Sequence, residues 1–319
     1  MRIGVDLMGS DRTAAEIYSA VLKVSERLKD DDKLVVFGTK EALPAATAKI
    51  DIVIADEAVE MTDDPLTAFR QKKRSSMSLG IQAVKEKELD AFVSTGNTGA
   101  LMATALFLLK TLPNTPRPAL MVMMPNGKNN VAVLDVGANL TPKPEHIVSF
   151  ARMGVAYRQI VHGMQNPTTG LLNVGAEEQK GPKELKETYQ LMQKSFGDAF
   201  KGNVEGREVF FGKVDVLVTD GFTGNVFLKT CEGISSYLFD YLRDTFVDDA
   251  TISRIARHLH ENFNYSKHPG ALLCGVDGTV IKCHGHSDEQ ALVNGILGAF
   301  NVARLDVVEK MKKLLATHN

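Results

Sequence analysis

The strongest constraint on the fold of this chain is a regular alternation of short apolar runs with longer helix-like segments. The apolar runs show no polar alternation, which is typical of strands in a sheet covered on both faces. The predicted strands are Arg2–Asp6, Lys33–Phe37, Ile50–Ile54, Ala91–Ser94, Ala119–Met124, Asn130–Asp135, Gly170–Val174, Val214–Val218 and Val280–Cys283. The predicted helices are Thr13–Lys29, Met77–Lys87, Ala100–Leu109, Pro144–Val161, Pro182–Phe200 and Asn225–Phe246. This order predicts an α/β fold with a mostly parallel sheet and helices on both of its faces.

The 319 residues suit one large domain or two modest ones. No internal repeat and no Gly/Ser linker marks a boundary, so we predict a single α/β domain over 1–319. The polar stretch at about 246–268 lacks strand-like runs and is interpreted as a helical insertion.

Charge and cysteine content narrow the function classes. The 37 basic and 39 acidic side chains leave a net charge of −2, which argues against a nucleic-acid partner. Three cysteines, an odd number without a C-x-x-C pair, fit a reducing cytoplasm. The longest apolar stretch, Ala100–Leu109, is about half of a membrane span, so we expect a cytoplasmic protein with at most peripheral contact with the inner membrane.

Four predicted strands end in turns rich in Gly, Asp and Asn. These turns are Asp6–Asp11, Ser94–Gly99, Asp135–Asn139 and Thr219–Asn225. In an open parallel sheet such turns gather at the carboxyl ends of the strands, where ligands bind. Backbone N–H groups at the starts of the following helices attract anions, so the turns predict an anion site.

Three further features carry candidate side chains. The loop after Gly170–Val174 holds Lys180, which could meet a phosphate, and Glu177, which could orient that lysine or accept a proton. The basic run Arg70–Arg74 is either a solvated helix face or a docking surface for an acidic carrier protein or a phosphate. His284 and His286 alternate after a strand but lack a third ligand at diagnostic spacing, so we expect no metal and treat His284 as a candidate acid or base.

Familiar cofactor motifs are missing from the sequence. It contains no G-x-G-x-x-G, no Walker loop and no G-x-S-x-G elbow. These omissions weaken the dinucleotide, ATP and serine-hydrolase alternatives, and we expect no cofactor.

At its motifs the sequence resembles the PlsX family, the acyl-ACP:phosphate acyltransferases of bacterial phospholipid synthesis. The resemblance rests on S-T-G-N-T-G-A-L-M-A at Ser94–Ala103, L-D-V-G-A-N at Leu134–Asn139, G-L-L-N-V-G-A-E at Gly170–Glu177 and T-D-G-F-T-G-N-V at Thr219–Val226. It implies a fold like that of phosphotransacetylases and isocitrate/isopropylmalate dehydrogenases, used as a homodimer. It further implies acyl carrier protein and inorganic phosphate as partners, and a product that passes to a membrane glycerol-3-phosphate acyltransferase.

Turn chemistry and motif match together give the candidate site. The catalytic candidates are Asn97, Lys180, Asn225 and His284. The candidates for binding phosphate and the acyl thioester are Gly96, Thr98, Gly99, Asp135, Asn139, Asn173, Glu177, Asp220, Thr223, Gly224 and Lys229, with the aspartates expected to orient donors or shape turns. The candidates for carrier docking are Arg70, Lys72, Lys73 and Arg74.

Two departures from the family pattern and two alternatives remain. Arg12 stands where the family usually has histidine, and 247–267 is shorter and more acidic than the basic helical pair of many members. One alternative is a phosphotransacetylase-like enzyme that uses acyl-CoA. The other is a non-catalytic scaffold that binds carrier protein.

Overall fold

The structure is a computed structural model that describes residues 1–127, 130–245, 251, 254 and 270–317. The insertion predicted at about 246–268 lies outside the described residues, apart from two single positions. The chain forms two compact units. The first comprises Met1–Leu120, Ile160–Gly163 and Pro269–Asn319, and the second comprises Met121–Gln159 and Met164–His268. The single domain over 1–319 stays a prediction.

The first unit is built on a mostly parallel sheet. Its strands are β1 (Arg2–Asp6), β2 (Lys33–Thr39), β3 (Ile50–Ala55), β4 (Ala91–Ser94), β10 (Ala271–Cys274) and β11 (Val280–Lys282). They lie in the order β3-β2-β1-β4-β11-β10, and only β10 runs antiparallel to its neighbour β11. The helices are α1 (Ala14–Ser25), α2 (Pro65–Gln71), α3 (Ser76–Lys85), α4 (Thr98–Leu109), α8 (Glu289–Arg304) and α9 (Val307–Ala316).

The second unit repeats this design with fewer strands. They are β5 (Ala119–Pro125), β6 (Asn130–Leu134), β7 (Thr169–Asn173), β8 (Phe200–Glu205) and β9 (Val216–Val218), in the order β5-β6-β9-β7-β8. All pairs are parallel except β5 with β6. The helices are α5 (Pro144–His162), α6 (Lys183–Phe196) and α7 (Gly221–Thr245), with short 3-10 helices at Gly197–Ala199 and Gly206–Phe211. The predicted mostly parallel α/β architecture is confirmed.

Local chemistry explains where the helices begin and end. Thr13 and Glu16 form a capping box at the start of α1, and Asp288 caps α8 by accepting from the Ala291 N–H at 2.7 Å. The prediction Pro182–Phe200 is wrong at its end, because Gly197 adopts φ +52° and terminates α6. The chain then enters β8.

Helix α2 was not predicted, although its start carries a recognisable signal. Asp64 accepts from the Thr67 N–H at 2.9 Å, and Pro65 occupies the first helical position. The helix has only seven residues and overlaps the basic run Arg70–Arg74, which was interpreted as a charged surface.

None of the described helices is by itself long and apolar enough to cross a membrane. Helices α8 and α9, bent by 53° at the break between them, meet the length and composition criteria only as a pair.

Candidate active site

A buried carboxyl group organises the strand-end turns of the first unit. Asp6, at the end of β1, is 1% exposed. One of its oxygens accepts from the Met8 N–H at 3.1 Å, and the other accepts from the Ser94 hydroxyl at 2.9 Å. The Ser94 hydroxyl in turn accepts from the Gly96 N–H at 3.1 Å. Burial raises the pKa of Asp6 to about 6, although these hydrogen bonds oppose the rise.

Lys282 is a residue that the sequence reasoning missed. It ends β11 and is 8% exposed, and its ammonium group donates to the carbonyls of Thr95, at 3.2 Å, and Cys283. Its charge lowers the pKa of Asp6 against the larger effect of burial. Lys282 thus places a buried positive charge behind the turn that leads into α4. The usable signal was a lysine at the end of an apolar strand, directly before the His284–Gly285 pair.

The side chain of Asn97, a predicted catalytic residue, forms its hydrogen bonds within the protein. Its carbonyl oxygen accepts from the Ala100 N–H at 3.0 Å and caps α4. Its amide group donates to the carbonyls of Met61 and Asp63, both at 3.0 Å, and contacts that of Glu60 at 3.4 Å. Three acceptors surround the two amide hydrogens, so Asn97 supports the fold, and its catalytic role stays a prediction.

Other positions of this turn have distinct roles. Gly96 is buried, while Thr98 and Gly99 are half-buried in the first turn of α4. A Cβ at Gly99 would lie 2.6 Å from Pro65 Cγ, so this glycine lets α2 pack against α4. Any anion contact from this turn would come from backbone N–H groups.

The loop after β11 is fastened to the loop after β1. The Ser10 hydroxyl donates to the Gly285 carbonyl at 3.2 Å, and His286 Nδ1 lies 2.9 Å from Asp11 Oδ2. A Cβ at Gly285 would lie 2.3 Å from that same carboxylate oxygen, so a larger residue there would displace the Asp11 side chain. His284 is exposed on this loop.

Arg12, which departs from the family pattern, forms an ion pair with Glu16. Arg12 Nη1 lies 3.0 Å from Glu16 Oε1 on the exposed face of α1. Within the ranges described, no group of three or more His, Cys, Asp or Glu side chains could hold a metal ion.

The basic cluster that was predicted to dock a carrier divides into two pairs. Lys72 donates to the Ala58 carbonyl at 2.9 Å and to Asp63 Oδ2 at 2.5 Å, and Arg74 pairs with Asp56. These two side chains hold the segment before α2. Two exposed members, Arg70 and Lys73, continue the docking prediction.

In the second unit, the Asp135 carboxylate accepts hydrogen bonds from the loop that follows it. One of its oxygens accepts from the N–H groups of Gly137 and Ala138 at 3.3 and 2.9 Å. The other accepts from the backbone and side-chain N–H groups of Asn139 at 2.6 and 2.9 Å. Asp135 is 0% exposed and shapes this turn, the kind of role expected for the aspartates from the sequence. Asn139 shares this role, because its carbonyl also accepts from the Gly221 N–H at 2.7 Å.

The predicted turn Thr219–Asn225 is largely the first turn of α7. Asp220 caps this helix by accepting from the Thr223 N–H at 2.8 Å and the Thr223 hydroxyl at 2.7 Å. A Cβ at Gly224 would lie 1.9 Å from the Asp135 carbonyl oxygen, so this glycine allows the helix to approach the Asp135 loop. The helix starts four residues earlier than predicted because the cap is Asp220.

Asn225 differs from Asn97 in its surroundings. Its side chain is exposed, and its Cγ lies 3.7 Å from the position that a Cβ would take at Gly137. Its amide has no hydrogen-bond partner among the described residues, so both hydrogens remain available to a ligand. Lys229 lies one helical turn further, also exposed, and pairs with Glu232 at 2.9 Å.

Two buried asparagines hold the loop that carries Lys180. The Asn173 amide donates to the Lys180 carbonyl at 3.2 Å, and the Asn203 amide donates to the Glu177 carbonyl at 2.8 Å. Asn173 therefore supports the loop and is 8% exposed, and the substrate contact assigned to it stays a prediction. Asn203, in the run Gly202-Asn203-Val204-Glu205, was not among the predicted residues. The Lys180 ammonium and the Glu177 carboxylate are exposed and 3.9 Å apart.

The contacts separate the predicted residues into supports and exposed donors. The supports are Asn97, Asp135, Asn139, Asn173 and Asp220. The exposed groups are His284 in the first unit and Glu177, Lys180, Thr223, Asn225 and Lys229 in the second. Ammonium, amide and hydroxyl groups of this kind bind oxyanions.

Comparisons with known proteins agree with this chemistry. A family model described as fatty acid synthesis protein matches residues 1–310. A phosphate acyltransferase of Chlamydia caviae is 41% identical over 324 residues, which cover 99% of each chain. One of Chlamydia muridarum is 43% identical over 314 residues, covering 96% of this chain and 95% of the relative.

Solved structures extend the agreement to the fold alone. A phosphotransacetylase from Streptococcus pyogenes matches with a TM-score of 0.61 at 16% identity, over 97% of this chain and 94% of that one. A branched-chain phosphotransacylase from Enterococcus faecalis V583 matches with a TM-score of 0.60 at 14% identity, over 100% of both chains. These similarities confirm the predicted phosphotransacetylase-like fold. The family match over residues 1–310 and the identity of 41% and 43% to relatives over nearly the whole chain show its family. The chain belongs to the fatty acid synthesis protein family, which is the PlsX family that its motifs resemble, and it is an acyltransferase.

Proposed function

We propose that this enzyme transfers a long-chain fatty acyl group from acyl carrier protein to inorganic phosphate. The product is an acyl phosphate that enters phosphatidic acid and phospholipid synthesis, and the transfer is reversible. The name of the Chlamydia relatives, phosphate acyltransferase, supports phosphate as the acceptor. The family description supports a fatty acyl group.

One structural observation carries the phosphate assignment. In the second unit the exposed groups at the strand ends include Lys180 and Asn225, whereas Asp135 is withdrawn into its own loop. A dianionic ligand needs a cation and N–H donors, and Lys180, which pairs with Glu177 at 3.9 Å, and Asn225 supply them. We therefore assign Lys180 and Asn225 to phosphate, with Thr223 and Lys229 as neighbouring donors.

The reaction needs no enzyme nucleophile, because a thioester is already activated. A phosphate oxygen attacks the thioester carbonyl carbon, the C–S bond breaks, and the carrier thiolate leaves and takes up a proton. Holding phosphate near the carbonyl raises its effective concentration, and N–H donors stabilise the oxyanion that develops. We assign the proton transfer to His284. Burial raises the pKa of the Cys283 thiol to about 11, which makes this cysteine a poor nucleophile.

The test follows product formation directly. Purified enzyme is incubated with palmitoyl-ACP and phosphate, and acyl phosphate is trapped with hydroxylamine while free carrier protein is measured. Palmitoyl-CoA in a parallel reaction separates the proposed activity from the phosphotransacetylase-like alternative. Carrier binding without phosphate-dependent product from either donor would support the scaffold alternative instead.

Matched variants test the phosphate assignment. Lys180→Ala and Asn225→Ala should raise KM for phosphate more than KM for palmitoyl-ACP, because only the former loses contacts. Lys183→Ala, at an exposed lysine of α6, is the control for removing a positive charge from the same region. Unchanged phosphate KM in both site variants would remove these residues from the site.

We further infer that the carrier protein docks on the exposed side chains Arg70 and Lys73. Ala substitutions at both should raise KM for palmitoyl-ACP and leave KM for palmitoyl-CoA unaffected. An equal change for both donors would contradict docking.

We also infer a homodimer. The exposed side chains Ile234, Tyr237, Leu238 and Tyr241 recur at helical spacing on α7 and offer an apolar surface to a second copy. Light scattering of the wild type and of Tyr237→Glu should give dimer and monomer masses, respectively. A wild-type monomer would contradict this assignment.

The product chemistry places the enzyme in a sequence of reactions. An acyl phosphate is a reactive mixed anhydride with a long apolar chain, and we infer that a membrane glycerol-3-phosphate acyltransferase consumes it. The enzyme would then work in the cytoplasm at the surface of the inner membrane. Sedimentation with and without vesicles of bacterial lipids would measure this association.

A further inference from the structure

Helix α4 exposes apolar side chains where a surface helix would normally carry polar ones. Met102, Ala103 and Leu106 are partly exposed, and Phe107 is 52% exposed. The polar Thr104 is instead buried. Since the buried face also consists mainly of apolar residues, α4 is apolar on both faces, and hydration alone does not account for its outer face.

Helix α2 extends this surface. It packs against the first turn of α4 through Pro65, which fills the space left by Gly99. Further along, the Phe69 ring stacks on the Phe107 ring with centroids 4.6 Å apart and planes 14° from parallel. Leu66 on α2 is 47% exposed. We define the acyl face as Leu66, Phe69, Met102, Ala103, Leu106 and Phe107.

The acyl face begins at a strand-end turn of the first unit. The half-buried residues Thr98 and Gly99 open α4 directly after the strand-end turn at Ser94–Asn97. From Thr98 to Phe107 the helix rises roughly 14 Å, which is comparable with an extended medium-chain acyl group. The six side chains carry no charge, which suits a hydrocarbon chain.

We propose that the acyl chain of the donor lies on the acyl face, with its thioester at the first turn of α4 and its methyl end toward Phe69 and Phe107. This inference rests on the proposed function and names where its acyl group binds. Continuity with the strand-end turn favours a chain that is tethered at the site. A second copy of this chain, the other candidate occupant, is an outcome of the test.

The first experiment measures chain-length preference. Butanoyl-, octanoyl- and hexadecanoyl-ACP are compared as donors for the wild type, Phe107→Ala and Ala103→Phe. Phe107→Ala should lower the ratio of hexadecanoyl to butanoyl kcat/KM about tenfold, since it removes apolar contact that only a long chain makes. Ala103→Phe, which adds bulk midway along the face, should shift the optimum toward octanoyl. Leu22→Ala, at an exposed apolar residue of α1, should keep the wild-type ratio.

A binding measurement separates failure of this proposal from failure of the proposed function. Calorimetric titration with dodecyl phosphate and butyl phosphate needs no turnover. Phe107→Ala should weaken dodecyl phosphate about tenfold relative to butyl phosphate. An unchanged ratio in both experiments would overturn the proposal, as would a shift from dimer to monomer mass in Phe107→Ala, which would make this face a subunit contact.

Discussion

Asn97 and Asn225 occupy the same T-G-N pattern, yet the structure predicts opposite consequences for replacing them. Asn97 caps α4 and holds three backbone carbonyls of the segment before α2. Asn225 is exposed, and its amide has no hydrogen-bond partner in the described part of the chain. We expect Asn97→Ala to destabilise the protein, and Asn225→Ala to reduce turnover without destabilising it.

The magnitudes follow from the contacts that each substitution removes. Loss of the Asn97 cap costs about 1 kcal/mol. The carbonyls of Met61 and Asp63 each lose a donor in a partly buried setting, at about 1 kcal/mol each. Asn97→Ala should therefore lower the free energy of unfolding by roughly 3 kcal/mol. Asn225→Ala removes no internal contact and should stay within about 0.5 kcal/mol of the wild type.

Urea denaturation followed by circular dichroism measures both values from the transition midpoint. Asn97→Asp sharpens the test, because a carboxylate keeps the cap for the Ala100 N–H but sets an oxygen against the Met61 and Asp63 carbonyls. It should be about as destabilised as Asn97→Ala. An unfolding midpoint for Asn97→Ala that matches the wild type would refute this reasoning, as would full turnover by Asn225→Ala.

Three further outcomes are expected. The pKa of Asp6, raised to about 6 by burial, means that the folded state holds a proton that the unfolded state releases near pH 4, so stability should fall by up to about 3 kcal/mol as pH rises through 6. Asp6→Asn should abolish this dependence in urea titrations at pH 4.5 to 7.5, in about half-unit steps, and a wild-type pH profile in that variant would contradict it. Lys282→Met should raise the pKa of Asp6 further and move the fall in stability to higher pH, since the lysine charge opposes the effect of burial; a profile that moves to lower pH would show the reverse coupling. Gly224→Ala should unfold at lower urea by more than about 2 kcal/mol, because its Cβ would lie 1.9 Å from the backbone carbonyl of Asp135, and a tolerated alanine would refute that contact.

The architecture was predictable because it depends on hydrophobic pattern. Strands β1 and β4 were predicted with the bounds that they have, since each has an apolar centre directly before a polar residue, Asp6 or Ser94, that opens a turn. Strand β8 escaped prediction because Phe200–Glu205 contains Lys201, Gly202 and Asn203, and Gly202 adopts φ +80°. In the sequence a segment of this composition resembles a loop. Its parallel pairing with β7 in the structure identifies it as a strand.

The site was predictable only to the level of the turn. Motifs indicated which strand ends hold the candidate residues. They did not indicate which of those side chains form hydrogen bonds inside the protein and which remain exposed. The Asn97 side chain precedes its helix and becomes the cap, whereas α7 is capped by Asp220 and leaves Asn225 on its surface. Lys282 lay outside the motifs, since its significance arises from packing beneath the Thr95 carbonyl.

The buried aspartates explain how strand ends rich in carboxylates can serve an anionic substrate. Asp6 and Asp135 follow β1 and β6, where an exposed charge would repel phosphate. Asp135 accepts from four N–H groups of its own loop, and Asp6 is 1% exposed and accepts from the Met8 N–H and the Ser94 hydroxyl. Each carboxyl group thus shapes a turn while presenting little negative charge at the surface. The exposed groups of the second unit include the cations Lys180 and Lys229 and the Asn225 amide, which are donors suited to phosphate, and Glu177 is the exposed carboxylate paired with Lys180.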